Sequence, residues 1–371
     1  MKQREHALAV EIASRGFKVF YVEDMPSFAY ILRAFMRRLF YKKGIEEPKN
    51  NNRLLPERLS VVTPPIIPTF FRNSLSPLVD KIIFKIWFRS RFKNIDWNKT
   101  IVMVMFSYWC DGFLNHKKYP AKYFIYDICD APEVQGNSQR GLRRILRGEE
   151  KLIRIADLIT FSADTMRKRV DNLFSEKKTL FLPNAVHQHF LEMADIAQKN
   201  GSEKVIGYIG SLEERWIDIP LIKKIAEVFV DFEIAIIGPV SMKQNILFSS
   251  CSNIKLYGVK THEESSDIIR KFDIGIIPFI NNSVTNVVNP LKLYEYCALG
   301  IPIVAMRTKE LEQYSHLVDL ADTHEEFLQL IEKNINSNDS QKRNQRIEFA
   351  KQNTWKHRVD GLLETISMLE K

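Results

Sequence analysis

Apolar residues in this chain come in two rhythms. Short unbroken runs rich in Val, Ile and Phe alternate with longer stretches in which apolar positions recur every three or four residues. The short runs predict strands over 17–22, 59–63, 101–106, 123–126, 158–161 and 179–182, then over 205–209, 233–237, 254–257, 274–278, 301–305 and 317–320. The longer stretches predict helices, among them 221–230, 264–271 and 326–334. Strands that lack a polar alternation are buried on both faces, as in parallel sheets covered by helices. Two such sets, divided by a polar stretch near 198–203, predict an α/β chain of two Rossmann-like, doubly wound domains facing each other across a cleft. In that architecture ligands sit at the carboxyl ends of strands. One feature breaks the pattern. The chain opens in a helical rhythm over 2–14 and passes through Arg15-Gly16 into strand 17–22, so the first, central strand of a doubly wound domain has no place before that helix.

Composition narrows the class. The chain has 371 residues, ample for two domains, and 45% of them are hydrophobic, enough for each to bury a core. No run approaches the length of a membrane-spanning helix and no signal segment opens the chain, so a soluble, cytoplasmic protein is expected. Cys110, Cys129, Cys251 and Cys297 are scattered, which suits reduced thiols better than a disulfide frame or a metal site.

Charge is uneven. Residues 1–100 carry 19 Lys plus Arg against 9 Asp plus Glu, while the whole chain is only +9. Much of the excess lies in 33–43 and 81–93, where basic residues interleave with large apolar ones. That mixture suits an anionic membrane surface and would make the protein peripheral on the inner face of the cell membrane. A core helix with a solvated basic face fits either segment equally well. No helix-turn-helix, zinc or aromatic RNA-binding motif accompanies the charge, so nucleic acid is not expected as a partner.

The most informative segment is Asn289-Pro-Leu-Lys-Leu-Tyr-Glu-Tyr-Cys-Ala-Leu-Gly-Ile-Pro302. Asn289 is a favoured N-cap, Pro290 a favoured first helical residue and Gly300 a favoured stop, so a helix is expected between Asn289 and Gly300. Asn289, Lys292 and Glu295 recur every third residue and share a face. Lys292 would stand in the first turn, where the helix dipole disfavours a cation by about 0.3–1 kcal/mol. An anion bound there reverses that cost, because free N–H groups, dipole and ammonium all point at it.

This segment resembles the donor site of GT-B glycosyltransferases of the "group 1" type, and in particular bacterial enzymes that build surface polysaccharides of the teichuronic-acid or exopolysaccharide kind. Other stretches are similar in the same order. Val205-Ile-Gly-Tyr-Ile-Gly-Ser-Leu-Glu-Glu-Arg-Trp-Ile-Asp218 resembles the first strand and loop of the second domain. Asp231-Phe-Glu-Ile-Ala-Ile-Ile-Gly-Pro239 resembles its second strand, and Phe272-Asp-Ile-Gly-Ile-Ile-Pro-Phe279 the strand before the donor motif. Gln3-Arg-Glu-His-Ala-Leu-Ala resembles the first helix, Tyr126-Asp-Ile-Cys-Asp130 a cleft-facing strand end, Leu182-Pro-Asn-Ala-Val186 the domain junction and Asn353-Thr-Trp-Lys-His-Arg358 the final helix. The resemblance implies an acceptor domain over 1–186, a donor domain over 187–345 and a last helix, 346–371, that packs back on the first domain. It implies a nucleotide diphosphate-sugar as substrate, no cofactor and no metal ion, and retention at the anomeric carbon. Residue by residue, Glu295 matches the carboxylate that accepts from the donor ribose, and Asn289, Pro290 and Lys292 match the helix start that holds the diphosphate. Gly210 and Arg215 match the loop opposite.

One departure matters. Many relatives carry two glutamates with seven residues between them, and counting back from Glu295 the first of the two falls on Val287, which cannot accept a hydrogen bond from a hydroxyl. Recognition of the transferred sugar then falls to backbone groups or to Asn286. Asp127 and Asp130 end an apolar strand and are candidates to orient or deprotonate an acceptor hydroxyl, against the alternative that they are turn or capping aspartates. His6 and His116 are weaker candidates. Two other functions stay open at this point: a nucleotide-sugar epimerase of the same fold, and a binding protein without catalysis.

Overall fold

A computed structural model describes residues 4–23, 56–65, 76–106, 120–132, 139–194, 204–337 and 339–369. The basic segment 33–43, His116, Cys110 and most of residues 50–58 and 131–140 lie outside them. Two compact units emerge. Unit 1 takes in Met1–Phe161, Arg167–Phe181 and Leu362–Lys371, and unit 2 takes in Ser162–Met166 and Leu182–Gly361.

Unit 1 opens with α1 (Arg4–Ser14) and β1 (Val19–Val22), followed by β2 (Leu59–Val62), α2 (Ser76–Arg91) and β3 (Ile101–Val104). Then come β4 (Tyr123–Ile128), α3 (Gln139–Ile155), β5 (Leu158–Phe161), α4 (Arg167–Leu173) and β6 (Thr179–Phe181). All its ladders are parallel, but they form two sheets, β1-β2 and β3-β4-β5-β6. In a doubly wound domain the strand before the first helix pairs between strands two and four. Those positions are β1 and β3 here, so among the described residues the break falls where the missing central strand belongs. Arg4 of α1 crosses to Asp127 at the end of β4 and fastens the two parts of the unit.

Unit 2 holds α5 (Gln188–Ala194), β7 (Lys204–Ile209), α6 (Ile219–Val228), β8 (Phe232–Ile237), α7 (Met242–Phe248), β9 (Ile254–Gly258), α8 (His262–Ile269) and β10 (Ile274–Ile277). It continues through α9 (Leu291–Ala298), β11 (Ile303–Met306), β12 (Asp319–Ala321), α10 (His324–Ile335) and α11 (Ser340–Gln352) into α12 (Trp355–Ser367), whose residues from Leu362 on belong to unit 1. Its six strands are parallel in the order β12-β11-β10-β7-β8-β9. Counting from β7 this is 3-2-1-4-5-6 read from the β9 edge, with the switch point between β7 and β10. The four inner strands β11, β10, β7 and β8 are buried on both faces, as their unbroken apolar runs require. Helix starts carry side-chain caps: Asp218 on α6, reciprocal capping boxes of Ser241 with Gln244 on α7 and of Thr261 with Glu264 on α8, and Thr323 on α10.

Candidate active site

The site is built on the switch point of unit 2. Strand β7 delivers Tyr208 and is followed by Gly210, β10 leads through Pro278 to Phe279, and α9 begins opposite both. Gly210 has φ +139°, a conformation that a side chain would strain, and a Cβ there would lie 3.0 Å from the Tyr208 hydroxyl and 3.2 Å from Lys292 Nζ. The glycine therefore keeps the floor of the site open beside the ammonium. Lys292 Nζ lies 4.4 Å from the Tyr208 ring centroid and 5.2 Å from that of Phe279. It also donates to Tyr208 Oη at 3.4 Å, while that hydroxyl donates to the Ser211 carbonyl at 2.8 Å.

Burial and the dipole of α9 act against the lysine charge. Desolvation lowers the Lys292 pKa to about 8, with Glu295 one turn away opposing the shift. Burial likewise raises Glu295 to about 7, against the pull of Lys292. Glu295 accepts no hydrogen bond among the described residues, so both of its oxygens keep their acceptor capacity. The arrangement can take an anion at the ammonium and hydroxyl donors at the carboxylate.

The helix start differs from the sequence expectation. Pro290, not Asn289, is the N-cap residue, no side chain caps the first turn, and α9 ends at Ala298, with Gly300 beyond it at φ +68°. Asn289 is buried and committed elsewhere. Its Oδ1 accepts from the Asn184 amide at 3.0 Å, and its Nδ2 donates to Tyr314 Oη at 3.0 Å and to Glu310 Oε1 at 3.3 Å. Glu310 is buried too, and desolvation raises it to about 7 despite hydrogen bonds from Thr165, Asn289 and Gln313. Asn289 thus shapes the approach to α9 from behind, and the first N–H groups of the helix are left without a protein cap.

Gly210, Pro290, Lys292 and Glu295 gather around the start of α9. Arg215 stands on the loop after β7, half-exposed, with Nε 3.2 Å from Glu213 Oε1 and its guanidinium 4.9 Å from the Trp216 ring centroid. Val287 closes a short 3-10 turn, Thr285–Val287, and Asn286 is tied on both ends of its amide, to Asn281 and to the Lys309 N–H. That occupancy weakens the expectation that Asn286 reads the sugar.

In unit 1 the two aspartates part company. Asp127 is fully buried, receives Arg4 Nε and Nη2 at 2.9 Å each, and accepts from Thr160 Oγ1 at 2.5 Å. These bonds occupy the carboxylate and tie Asp127 to α1 and β5. Asp130, only half-buried, is raised to about 6 by desolvation, then by Glu5, with Arg4 opposing. It is still ionised at neutral pH and accepts a proton more readily than an ordinary aspartate. His6 packs edge-on to Tyr21.

Tyr208, Phe279 and Glu310 escaped the sequence reading. The first two look like core residues of apolar strands, and only the strand order shows that their ends meet at Lys292. Among the described residues no cluster of His, Cys, Asp or Glu could hold a metal ion, and no helix is long and apolar enough to cross a membrane.

Comparison with solved structures decides the fold. Sucrose-phosphate synthase of Thermosynechococcus elongatus aligns with a TM-score of 0.68 over 98% of this chain and 91% of its own, at 12% identity. HepE of Anabaena, solved with UDP and glucose, aligns with a TM-score of 0.61 over 95% of this chain and 99% of its own, at 14% identity. The fold is GT-B. Identities this low carry the GT-B fold alone. No family model matches the sequence. TuaH of Bacillus subtilis, whose name assigns it provisionally to teichuronic acid biosynthesis as a glycosyltransferase, is 26% identical over 252 residues, 63% of this chain. The match spans 60% of TuaH, less than two thirds of its length.

Proposed function

We propose that this GT-B chain is a glycosyltransferase. It moves a sugar from a nucleotide diphosphate donor to a hydroxyl of a glycan or lipid-linked acceptor in the assembly of cell-surface polysaccharide. The observation that carries the reading is the position of Lys292: a desolvated ammonium at the uncapped start of α9, on the switch point between β7 and β10, with Gly210 leaving room beside it. A cation there is costly without an anion and well placed with one. Glu295 complements it, since a carboxylate with open acceptor positions suits the paired hydroxyls of a ribose.

In the reaction the acceptor oxygen bonds to the anomeric carbon as the bond from that carbon to the diphosphate oxygen breaks. The electron pair leaves on the diphosphate, where Lys292 and the first N–H groups of α9 stabilise the growing charge. With retention, the hydroxyl proton passes to the departing diphosphate oxygen. Asp130 is the candidate for orienting the acceptor hydroxyl. Because Lys292 and the helix end supply the positive field, the transfer proceeds without a metal ion, and the rate is expected to be unchanged by EDTA. The likeness to TuaH supports a polysaccharide product, and the UDP of the HepE structure makes UDP the first nucleotide to try.

The test is a thermal-shift screen with UDP, GDP and dTDP, followed by nucleotide release from the matching sugar donors in the wild type and in Lys292→Ala and Glu295→Ala. One nucleotide should raise the melting temperature of the wild type alone. Unchanged turnover in both variants would overturn the assignment, and conversion of the donor without any acceptor would make the chain an epimerase.

A further inference from the structure

Helix α2 has two faces with opposite fates. Phe84 and Phe88 are buried on one, and just past the helix Phe92 continues the row, with ring centroids 5.9 Å apart from Phe84 to Phe88 and 4.7 Å from Phe88 to Phe92. Phe92 meets Phe20 of β1 edge-on at 5.7 Å, and Trp97 lies 5.8 Å from Phe88. This aromatic seam fixes the rotation of the helix within unit 1. The opposite face carries Val79, Ile82 and Ile86, which are 41%, 50% and 64% exposed. Spaced three and four apart, they form one strip. Lys85 and Arg89 run along its flank at the same spacing, and Lys93 follows in line. These three cations are exposed and pair with no carboxylate among the described residues.

An aliphatic strip held outward is costly in water, and a row of cations beside it adds repulsion that no carboxylate among the described residues relieves. One surface answers both: a bilayer with anionic headgroups, whose acyl boundary takes the aliphatic side chains while the headgroups take the ammonium and guanidinium groups. We infer that α2 is a docking helix for an anionic membrane, lying in the plane of the interface with Val79, Ile82 and Ile86 inserted and Lys85, Arg89 and Lys93 at the headgroups. Nucleic acid fits less well, because its phosphates would meet the cations and leave the aliphatic strip in water. The inference stands on the helix and does not depend on the transferase reading. Where both hold, the docked face would bring the chain to the leaflet that carries lipid-linked acceptors.

The experiment is co-sedimentation of the full chain with phosphatidylcholine vesicles and with vesicles also containing phosphatidylglycerol, at low and at moderate salt. The wild type should partition at least tenfold more strongly onto the anionic vesicles, with the difference shrinking as salt rises. Ile82→Ser/Ile86→Ser should bind those vesicles about tenfold more weakly, in line with the apolar area it withdraws. Lys85→Gln/Arg89→Gln should abolish the preference for anionic lipid. Because all four positions are exposed, both variants should melt with the wild type and keep its thermal response to nucleotide. Equal binding of the wild type to both vesicle types would overturn the inference, as would wild-type binding by both variants. So would a self-associating wild type that Ile82→Ser/Ile86→Ser renders monomeric, since the strip would then be a contact between copies.

Discussion

Lys292 Nζ lies 4.4 Å from the ring centroid of Tyr208 and 3.4 Å from its hydroxyl. The ammonium thus rests on an aromatic face and a neutral oxygen, with the carboxylate of Glu295 a helical turn away. A cation held in this way is oriented without being neutralised, and it stays available to an incoming diphosphate. Lys292→Ala should therefore lower kcat/KM by about 100- to 1000-fold, the range for removing one charge-stabilising donor. Tyr208→Phe keeps the ring and loses the hydroxyl, so a fall of about tenfold or less is expected, whereas Tyr208→Leu should approach the lysine variant. Steady-state kinetics on the three proteins check the order, and a Tyr208→Leu enzyme with wild-type activity would dissociate the ring from the function of the lysine.

The same pair sets a pH response. Glu295, raised to about 7, accepts hydroxyls best as a carboxylate, so binding should weaken as pH falls through that value. Lys292, lowered to about 8, holds the diphosphate as an ammonium, so binding should weaken as pH rises through that value. A narrow bell in kcat/KM follows, centred between 7 and 8. Glu295→Gln should remove the acid limb and leave the alkaline one. Retention of both limbs in that variant would trace the acid limb to another group, with Asp130, at about 6, the first to examine.

Arg4 and Asp127 are a buried two-pronged ion pair, so their value is to stability. Arg4→Ala leaves the carboxylate buried without its partner and should cost about 3–5 kcal/mol in a denaturant titration. Asp127→Asn should also lose stability, yet its turnover per folded molecule should stay near that of the wild type. Asp130→Asn should do the reverse, melting normally while kcat falls about 100-fold, as for loss of a group acting on a reacting hydroxyl. Should Asp127→Asn remain stable and lose turnover, the assignment of the two aspartates would be exchanged.

The strands were readable because a parallel strand buried on both faces leaves an unbroken apolar run. Every one of the twelve runs in the sequence carries a strand, shifted by a residue or two at its ends. Lys292 and Glu295 were readable for a different reason: three-residue spacing on a helix places side chains together whatever surrounds them. Tyr208 and Phe279 were not, since their meeting depends on β7 lying beside β10 and not on any local pattern. The partner of Asp127 was hidden because Arg4 lies 123 residues away in the chain. The cap was misplaced because Asn289 has the right chemistry for one, and only its long-range partners show that it is used elsewhere.

That last point can be tested directly. Asn289 joins the Asn184 amide, Tyr314 and Glu310 in one network, and removing its side chain takes a hydrogen bond from each, although Tyr314 keeps Tyr294 and Glu310 keeps Gln313 and Thr165. Asn289→Ala should cost about 1–3 kcal/mol for each partner left unsatisfied, moderated where neighbours relax. Asn289→Ser separates the two roles. Serine is as good a cap as asparagine but is too short to span from Asn184 to Glu310. If the network is what matters, Asn289→Ser should be nearly as destabilised as Asn289→Ala in urea unfolding. Full stability in the serine variant would return the residue to the cap of α9.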